Sequence, residues 1–395
     1  MKLSAFIIFI TIVLSIYALI NIYIVSRGLQ ALPQDGLYRL TFFSIALFFI
    51  LAYPVGRLSE RVLNKGIAEL LIHVGSYYLA MMIFAFILIM IIDVFRLGDY
   101  FFHFFPKSWY QIGSHARLIT VAIVTSIVLI LTITGAINAK QIRIKEFDIH
   151  IAKNVHSLTQ FNIVLASDIH LGTIIHNSRL ETIVNKIIGL HPDIILLAGD
   201  VFDEDISTLV DNNTASILAN LKSKYGVYAI PGNHEYYSGI EKAMAYLRQA
   251  NIVVLRDSVS FVADSIYIVG RDDITGNRFG SERKSLDKLL KNVDRDYPII
   301  LMDHQPFRLE EGQKNGIDLQ VSGHTHNGQI FPFNFITHKV FELSWGYLQK
   351  GDTHYYVSCG VGTWGPPVRL GSRPEIIKIG LHLVGKNQST AKSNE

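Results

Sequence analysis

Five short clusters of acidic, amide and imidazole side chains occur in the second half of this 395-residue chain, each directly after an apolar run. In chain order they are Asp168-Ile169-His170, Gly199-Asp200, Gly232-Asn233-His234-Glu235, Asp303-His304 and Gly323-His324-Thr325-His326. Carboxylate, amide and imidazole ligands without thiolates suit borderline divalent cations such as Mn, Fe, Zn or Ni. One such cluster is equally well explained as a polar turn with incidental histidines, but five in succession indicate a shared metal site.

The segments that carry these clusters alternate between strand-like and helix-like patterns. Strands are predicted at residues 141–151, 162–166, 193–198, 226–230, 298–302 and 317–321, with shorter ones near Val253, Phe261 and Ile266. Helices are predicted at residues 177–190, 206–221 and 240–250, the last with Ser238 as a possible N-cap. This alternation is typical of an α/β sheet, whose binding sites gather at the carboxyl ends of the strands.

The five clusters resemble the ordered motif set of the calcineurin-like metallophosphoesterases. The resemblance covers roughly residues 160–383. The chain departs from the family pattern at Glu235, where many members have Asp, and at Asn327, where Gly is common. Neither of these is a ligand position. The stretch from Gly362 to Arg373, with Arg369 within it, resembles the membrane-associated bacterial branch of that family. The resemblance implies an α/β fold, a β-sandwich flanked by helices, and the activity of a metal-dependent phosphoester hydrolase.

The resemblance also implies which residues hold two divalent metal ions. Asp168, His170 and His326 would complete the first metal site, and Asn233, His304 and His324 the second. Asp200 is the best candidate for a ligand shared by both ions, because a carboxylate has two oxygens to offer two cations. In the family, the histidine that matches His234 faces the substrate, where it stabilises charge or protonates the leaving oxygen.

Several nearby residues keep two interpretations each. Asp203 and Glu235 either orient ligands or cap surface elements. Arg369 and Arg373 either meet a substrate phosphate or serve the structure. The aromatic residues after the last cluster form either ordinary core or an apolar lip that dips into a membrane interface; they are Phe331, Phe333, Phe335, Phe341 and Trp345.

The first third of the chain is built from four long apolar runs, at residues 3–25, 37–55, 70–92 and 118–137. Each is close to the roughly 20 residues that a helix needs to cross a bilayer. The first run is too long for a signal-peptide core and has no clear cleavage site, so it is predicted to be an uncleaved anchor. We expect an all-α four-helix transmembrane domain at residues 1–139, a metallophosphoesterase domain at 140–384 and a disordered tail at 385–395.

Charge also separates the two halves. Residues 1–140 hold ten Lys/Arg and five Asp/Glu, a formal charge of +5, whereas the rest holds 26 and 28, a formal charge of −2. The second half therefore lacks the excess of basic residues that is typical of a nucleic-acid-binding protein. Lys and Arg near the helix ends number seven on one side and five on the other. With the bacterial resemblance, this predicts an integral protein of the bacterial inner membrane with a cytoplasmic catalytic half.

These observations predict a membrane-anchored, binuclear-metal phosphoesterase in which a metal-activated water attacks a phosphodiester or related phosphoester. Its partners would be the lipid bilayer and a phosphoester substrate, with an amphipathic, lipid-linked substrate as one option. A small soluble substrate, such as a nucleotide or cyclic nucleotide, is the alternative. A membrane sensor or transporter with a regulatory phosphoesterase-like domain would need polar residues along a membrane path, for which Glu69 and His73 are the candidates.

Overall fold

The computed structural model describes residues 3–60, 62–153, 159–203, 206 and 213–383. The chain divides into two compact units: the first contains the residues up to Ile137 together with Gly365–Val368, and the second contains Asn138–Trp364 and the residues from Arg369 onward. The tail predicted at residues 385–395 lies outside the described residues.

The first unit is a set of four long helices. They are α1 (Leu3–Ala31), α2 (Gly36–Ser59), α3 (Lys65–Phe102) and α4 (His115–Lys140), with a 3-10 turn at Lys107–Tyr110 between the last two. All four are long and apolar enough to cross a membrane, as the sequence predicts. Two of them begin at a capping side chain: Asp35 accepts a hydrogen bond from the backbone of Leu37, and Asn64 accepts one from Gly66.

Small residues let α2 and α3 approach closely. A Cβ on Gly75 would lie 2.3 Å from the backbone nitrogen of Tyr53, and one on Gly56 would lie 2.9 Å from that of Ile72. Because lipid chains are as apolar as the side chains, membrane helices associate through such close packing rather than through the hydrophobic effect. These glycines therefore hold the first unit together.

The second unit contains two six-stranded sheets. Its strands are β1 (Arg143–Ile151), β2 (Gln160–Ala166), β3 (Ile194–Leu197), β4 (Val227–Ala229), β5 (Val253–Val254), β6 (Ser258–Val262), β7 (Ile266–Gly270), β8 (Ile299–Met302), β9 (Leu319–Ser322), β10 (Gly346–Lys350), β11 (Thr353–Val357) and β12 (Glu375–Leu383). The first sheet has the order β1-β12-β2-β3-β4-β5 and the second the order β10-β11-β9-β8-β7-β6. The run β2-β3-β4-β5 is parallel, and so is the run β11-β9-β8-β7.

The described part of the second unit also contains seven short helices. They are α5 (Asn177–Ile188), α6 (Thr214–Leu218), α7 (Asn233–Ser238), α8 (Ile240–Gln249), α9 (Leu286–Leu289), α10 (Leu309–Lys314) and α11 (Phe333–Val340), with 3-10 turns at Ile274–Phe279 and His326–Gly328. Ile163 of β2 packs between the sheets with Ile300 of β8, whereas its neighbour Val164 packs outward with Leu180 of α5. This alternation follows from the two-residue period of a strand. The predicted fold, an α/β sandwich flanked by helices, is confirmed.

One local prediction is wrong, and another is tested only in part. The helix predicted at residues 206–221 includes residues 207–212, which lie outside the described residues, and the described part of that range contains α6. Ser238 does not cap the following helix but lies at the end of α7, where its hydroxyl donates to the carbonyl oxygen of His234 at 2.9 Å. Gly239 takes the N-cap position of α8 with a φ of 104°, a backbone conformation that favours glycine.

Candidate metal centre

The predicted ligands lie after the carboxyl ends of five strands. Asp168 and His170 follow β2, Asp200 follows β3, Asn233 follows β4, His304 follows β8, and His324 and His326 follow β9. In each sheet the strands concerned are adjacent and parallel, so their ends meet at one edge. The two edges are joined by hydrogen bonds: the His304 ring donates to the carbonyl oxygen of Ala198 at 2.7 Å, and the His324 backbone donates to the Asp168 carboxylate at 2.9 Å. The structure thus brings all seven residues into one region.

Five of these seven residues have a backbone in the left-handed region, which is uncommon for residues other than glycine. They are Asp168, His170, Asp200, His324 and His326, with φ between 48° and 72°. Such conformations cost of order 1–3 kcal/mol each and persist where the surrounding structure fixes them, as it does at many active sites. At these five residues the fold therefore fixes the direction of the side chain although the backbone conformation is unfavourable.

The first group of side chains consists of Asp168, His170 and His326, all buried. His326 Nε2 lies 3.0 Å from His170 Nε2 and 3.5 Å from Asp168 Oδ1. His170 Nδ1 lies 3.2 Å from an Asp203 carboxylate oxygen. Because that carboxylate accepts, His170 carries its proton on Nδ1, and the lone pair of Nε2 faces the group.

The second group contains Asp200, His304 and His324, together with the amide of Asn233. His304 Nε2 lies 3.1 Å from Asp200 Oδ2. Since His304 Nδ1 donates to a backbone carbonyl, its Nε2 presents a lone pair to the site. His324 Nδ1 lies 2.8 Å from Asn233 Oδ1, so an imidazole nitrogen and an amide oxygen converge beside this pair.

Asp200 lies between the two groups. Its Oδ2 is 3.1 Å from His304 Nε2 and 3.9 Å from His170 Nε2. Its Oδ1 instead accepts the backbone N–H of His234 at 2.9 Å. The sequence argument gave one carboxylate oxygen to each cation. In the structure a single oxygen faces both groups, because the start of α7 occupies the other.

The donor set fits divalent cations. His304 Nε2 is buried and faces Asp200 Oδ2 at 3.1 Å. Around it, imidazole nitrogens and carboxylate oxygens point toward one another with too few protons to pair them all. Lone pairs that converge in a buried site are stabilised by a bound cation. The His and Asp groups are therefore able to hold metal, and the protein provides oxygen and imidazole ligands for it.

His234 lies beside these groups. Its Nδ1 is 2.9 Å from Asp203 Oδ1, so one carboxylate oxygen contacts both His170 and His234. The His234 ring also contacts Tyr237 and Trp364, which are each 57% exposed. His234 is thus oriented from the inner side by Asp203 and lies next to exposed rings at the solvent-facing side, where a substrate would enter.

Asp203 and Glu235 position other residues, and Glu235 caps α7 as a buried group rather than at the surface. Glu235 is fully buried, and its carboxylate accepts the backbone N–H groups of Asp200 at 3.1 Å, Phe202 at 3.0 Å and Gly232 at 2.6 Å. It therefore fixes the loops after β3 and β4 to each other. The sequence offered no signal that distinguished this role, since a buried and an exposed acid look alike in a motif.

Arg369 is fully buried and cannot reach a substrate in solvent. It donates two hydrogen bonds to the carbonyl oxygen of Gly362, at 2.6 and 3.1 Å, and one to Ser372. Its Nη2 also lies 3.1 Å from His326 Nδ1. Arg369 therefore supports a predicted ligand from behind, whereas Arg373 is exposed.

Burial and neighbouring charges shift the pKa values of the site residues in different directions. Burial would raise the pKa of Asp200, but the charge and hydrogen bond of His304 and the charge of His234 outweigh it and hold that pKa well below its usual range. Burial, with the charge of His304, lowers the pKa of His324 to about 3. Burial also lowers the pKa of His234, but its hydrogen bond to Asp203 and the charge of Asp200 outweigh this and raise the pKa to about 9. The directions of these shifts favour the anionic form of Asp200 and the neutral form of His324, in which each can bind a metal.

The aromatic residues after the last ligand are mostly exposed, so their interpretation as core is wrong. Phe331, Phe333, Phe335 and Trp345 are 37–63% exposed, and Ile336 and Val340 of α11 are more than half exposed. We call Phe331, Phe333, Phe335, Ile336 and Val340 the apolar lip. It adjoins the site directly: a Cβ on Gly328, two residues after His326, would lie 2.3 Å from the backbone nitrogen of Asn334 in α11. An exposed apolar patch of this kind marks an interaction surface.

A family model and several known proteins are similar to this chain. The family model for calcineurin-like phosphoesterases matches residues 161–328. An uncharacterised metallophosphoesterase of Aquifex aeolicus is 37% identical over 225 residues, which is 56% of this chain and 85% of that protein. An uncharacterised metallophosphoesterase of Campylobacter jejuni is 29% identical over 383 residues, covering 95% of this chain and 98% of the relative.

A vertebrate relative is similar as well. The Danio rerio protein named transmembrane protein with metallophosphoesterase domain is 33% identical over 282 residues, or 68% of this chain. The chain spans only 63% of that relative's own length. From these matches and the fold, the chain belongs to the calcineurin-like metallophosphoesterases, which are metal-dependent phosphoester hydrolases.

Gly323 tests whether close packing holds the Asp168 carboxylate in place. In a Gly323→Ala variant, the added Cβ would lie 2.3 Å from Asp168 Oδ2 and 2.7 Å from Ser167 Oγ. We expect the displaced carboxylate to lower metal content and to reduce phosphoester hydrolysis by roughly 10²-fold, since a shift near 1 Å has that effect at catalytic sites. Metal analysis and turnover of the purified variant measure this. Gly98→Ala, with nothing within 4 Å of the new Cβ, is the control, and wild-type metal content in Gly323→Ala would contradict the assignment.

Proposed function

We propose that this protein is a membrane-anchored phosphoesterase that uses two divalent cations to hydrolyse a phosphodiester or a related phosphoester. The position of Asp200 supports this most directly. One of its carboxylate oxygens lies 3.1 Å from a nitrogen of the second group and 3.9 Å from a nitrogen of the first. Two cations about 3.5–4 Å apart require such a shared ligand.

The seven residues are assigned by the groups in which they lie. Asp168, His170 and His326 would hold one cation, Asn233, His304 and His324 the other, and Asp200 would contact both. When bound, the cations would polarise the phosphoryl oxygens and lower the pKa of the attacking water. The ligand types suit Mn, Fe, Zn or Ni. Two carboxylates against two dications leave a positive site, which attracts a phosphate anion.

His234 is proposed to act on the substrate rather than on a metal. Asp203 contacts its Nδ1 at 2.9 Å, so Nε2 is the nitrogen available to a bound phosphoester. A proton on Nε2 can pass to the leaving oxygen when the bond between that oxygen and phosphorus breaks. General acid catalysis of this kind contributes about 10²–10⁴ in rate.

The apolar lip supports an amphipathic substrate over a small soluble one. A nucleotide or cyclic nucleotide needs no exposed apolar surface beside the site, whereas an acyl chain or a membrane interface packs against one. Along the chain, only two residues separate α4, which ends at Lys140, from β1, which begins at Arg143. We propose a lipid-linked phosphoester as substrate, hydrolysed at the cytoplasmic face of a bacterial inner membrane.

Metal dependence tests the proposed reaction. The purified full-length protein should hydrolyse bis-p-nitrophenyl phosphate, an activated phosphodiester. Chelation should abolish turnover and added Mn should restore it, because the ligand set has no other means to activate water. Release of p-nitrophenolate measures the rate. Turnover that survives complete removal of metal would exclude the two-cation mechanism.

Two substitutions separate metal binding from proton transfer. Asp200→Asn should lose metal and activity together, because it removes the charge that both groups share. His234→Ala should keep its metal while turnover falls about 10²–10⁴-fold, least for substrates with good leaving groups.

Elemental analysis and kinetics on esters of graded leaving-group pKa distinguish the two variants. His382→Ala, a substitution on β12, is the matched control for loss of an imidazole. An empty metal site in His234→Ala would reassign that residue as a ligand.

The apolar lip predicts that its substitution affects micellar substrates more than small soluble ones. Replacing Phe333 and Phe335 by Ser should raise the apparent KM for a phosphoester presented in micelles several-fold and spare bis-p-nitrophenyl phosphate, since the exposed rings would contact only the micelle. Phe261→Ser on β6, another exposed phenylalanine, is the matched control. Unchanged micellar KM, or equal losses on both substrates, would favour the soluble-substrate alternative.

A further inference from the structure

The four-helix unit contains an apolar cavity of about 210 Å³. Helices α1, α3 and α4 provide most of its wall, through side chains such as Ile24, Ala85, Ile89, Val121 and Val124. A water molecule in such a place would find few polar partners, so a cavity of this composition excludes water. Left empty, it would forfeit the dispersion contacts of its walls. An apolar occupant therefore fits the cavity.

The shape of the cavity indicates what that occupant is. Along α3 the lining runs from Tyr78 to Arg96 through residues three or four positions apart, which form one face of the helix. At 1.5 Å per residue this face is about 27 Å long. The hydrocarbon core of a bilayer is about 30 Å thick. A phospholipid acyl chain spans one leaflet, roughly half of that thickness, so the lining is long enough for one such chain.

Three arginines lie at one end of the cavity: Arg27 of α1, Arg96 of α3 and Arg117 of α4. Asp93 is the only carboxylate in the described ion pairs of this end, at 2.6 Å from Arg27 and 3.3 Å from Arg96. Arg117 has no carboxylate partner among them. It donates to the carbonyl oxygens of Gln30 and Tyr110, and its buried Nε has no partner in the described structure.

The wider charge at this end remains positive. Arg39 and Lys107 lie near the same helix ends, while Asp35 and Asp99 are the further acids there. Asp35 caps α2, and Asp99 accepts hydrogen bonds from Phe105 at 2.8 Å and Tyr110 at 2.6 Å. Five cationic side chains against three carboxylates leave a formal surplus of two positive charges.

We propose that this cavity is a binding site for one anionic phospholipid of the surrounding bilayer. An acyl chain fills the apolar part, and Arg27, Arg96 and Arg117 bind the phosphate. The arginine fork suits a phosphate, and the positive surplus favours a lipid of net negative charge over a zwitterionic one. The proposal rests on the four helices lying in a bilayer and is independent of the reaction at the metal centre. It gives the first unit a function beyond anchoring.

Native mass spectrometry of the full-length protein in a mild detergent tests the site. Phosphatidylglycerol and phosphatidylcholine are added in equal amounts, and retained lipid is counted per protein. We expect one phosphatidylglycerol to be retained at least about tenfold more than phosphatidylcholine, which corresponds to 1.4 kcal/mol. Ala85→Phe should abolish this retention by filling the cavity, and Arg117→Gln should remove the preference between the two lipids.

Arg57→Gln is the matched control, because Arg57 lies at the other end of α2 and forms an ion pair with Glu60. It should behave like the unaltered protein, and circular dichroism confirms that each variant is folded. If folded Ala85→Phe retains phosphatidylglycerol as the unaltered protein does, the cavity is not the site. If the unaltered protein retains both lipids equally, the arginines do not select an anion. Either result overturns the proposal.

Discussion

Two carboxylates, Asp168 and Asp200, are buried where the two sheets of the second unit meet, and the rest of the site depends on their neutralisation. A buried carboxylate is costly unless cations or hydrogen bonds compensate it. The structure compensates Asp168 with the backbone N–H of His324 and Asp200 with the N–H of His234. The histidines beside the remaining carboxylate oxygens present nitrogen lone pairs to them and have too few N–H groups to donate to every oxygen. Cations bound among these groups would complete the compensation, so the residues that are costly to bury are also those of the candidate metal site.

The surrounding residues keep this arrangement rigid. Glu235 joins the backbone of three loop residues, and Arg369 supports His326 from a position that solvent does not reach. One carboxylate oxygen of Asp203 contacts both His170, a candidate ligand, and His234, the proposed acid. Asp203 therefore fixes the distance between these two histidines. Such outer contacts determine ligand orientation as much as the ligands do. Five candidate ligands have a left-handed backbone, and the cost of these conformations is part of the cost of holding the ligands in position.

Both units present surfaces that suit lipid, by different means. In the catalytic unit the apolar lip is exposed on a short helix beside the last ligand, with no residue of α11 buried. In the first unit the cavity is lined by helix faces and ends at a cluster of arginines. The lip would meet an interface, whereas the cavity would hold a single chain with its phosphate.

The sequence alone determined the fold class, the four long apolar helices and the identity of the candidate ligands. Strand periodicity is local, and ligand-type residues directly after strands are visible in the order of the letters. Which alternative held for the lip, for Glu235 and for Arg369 was decided only by the tertiary structure, because burial depends on residues far away in the chain. The cavity in the first unit was likewise hidden, since uniformly apolar helices carry no stripe that shows which faces meet. The single shared oxygen of Asp200 also could not be foreseen. It results from the start of α7, whose backbone N–H takes the other oxygen, and only folding brings that helix to the end of β3.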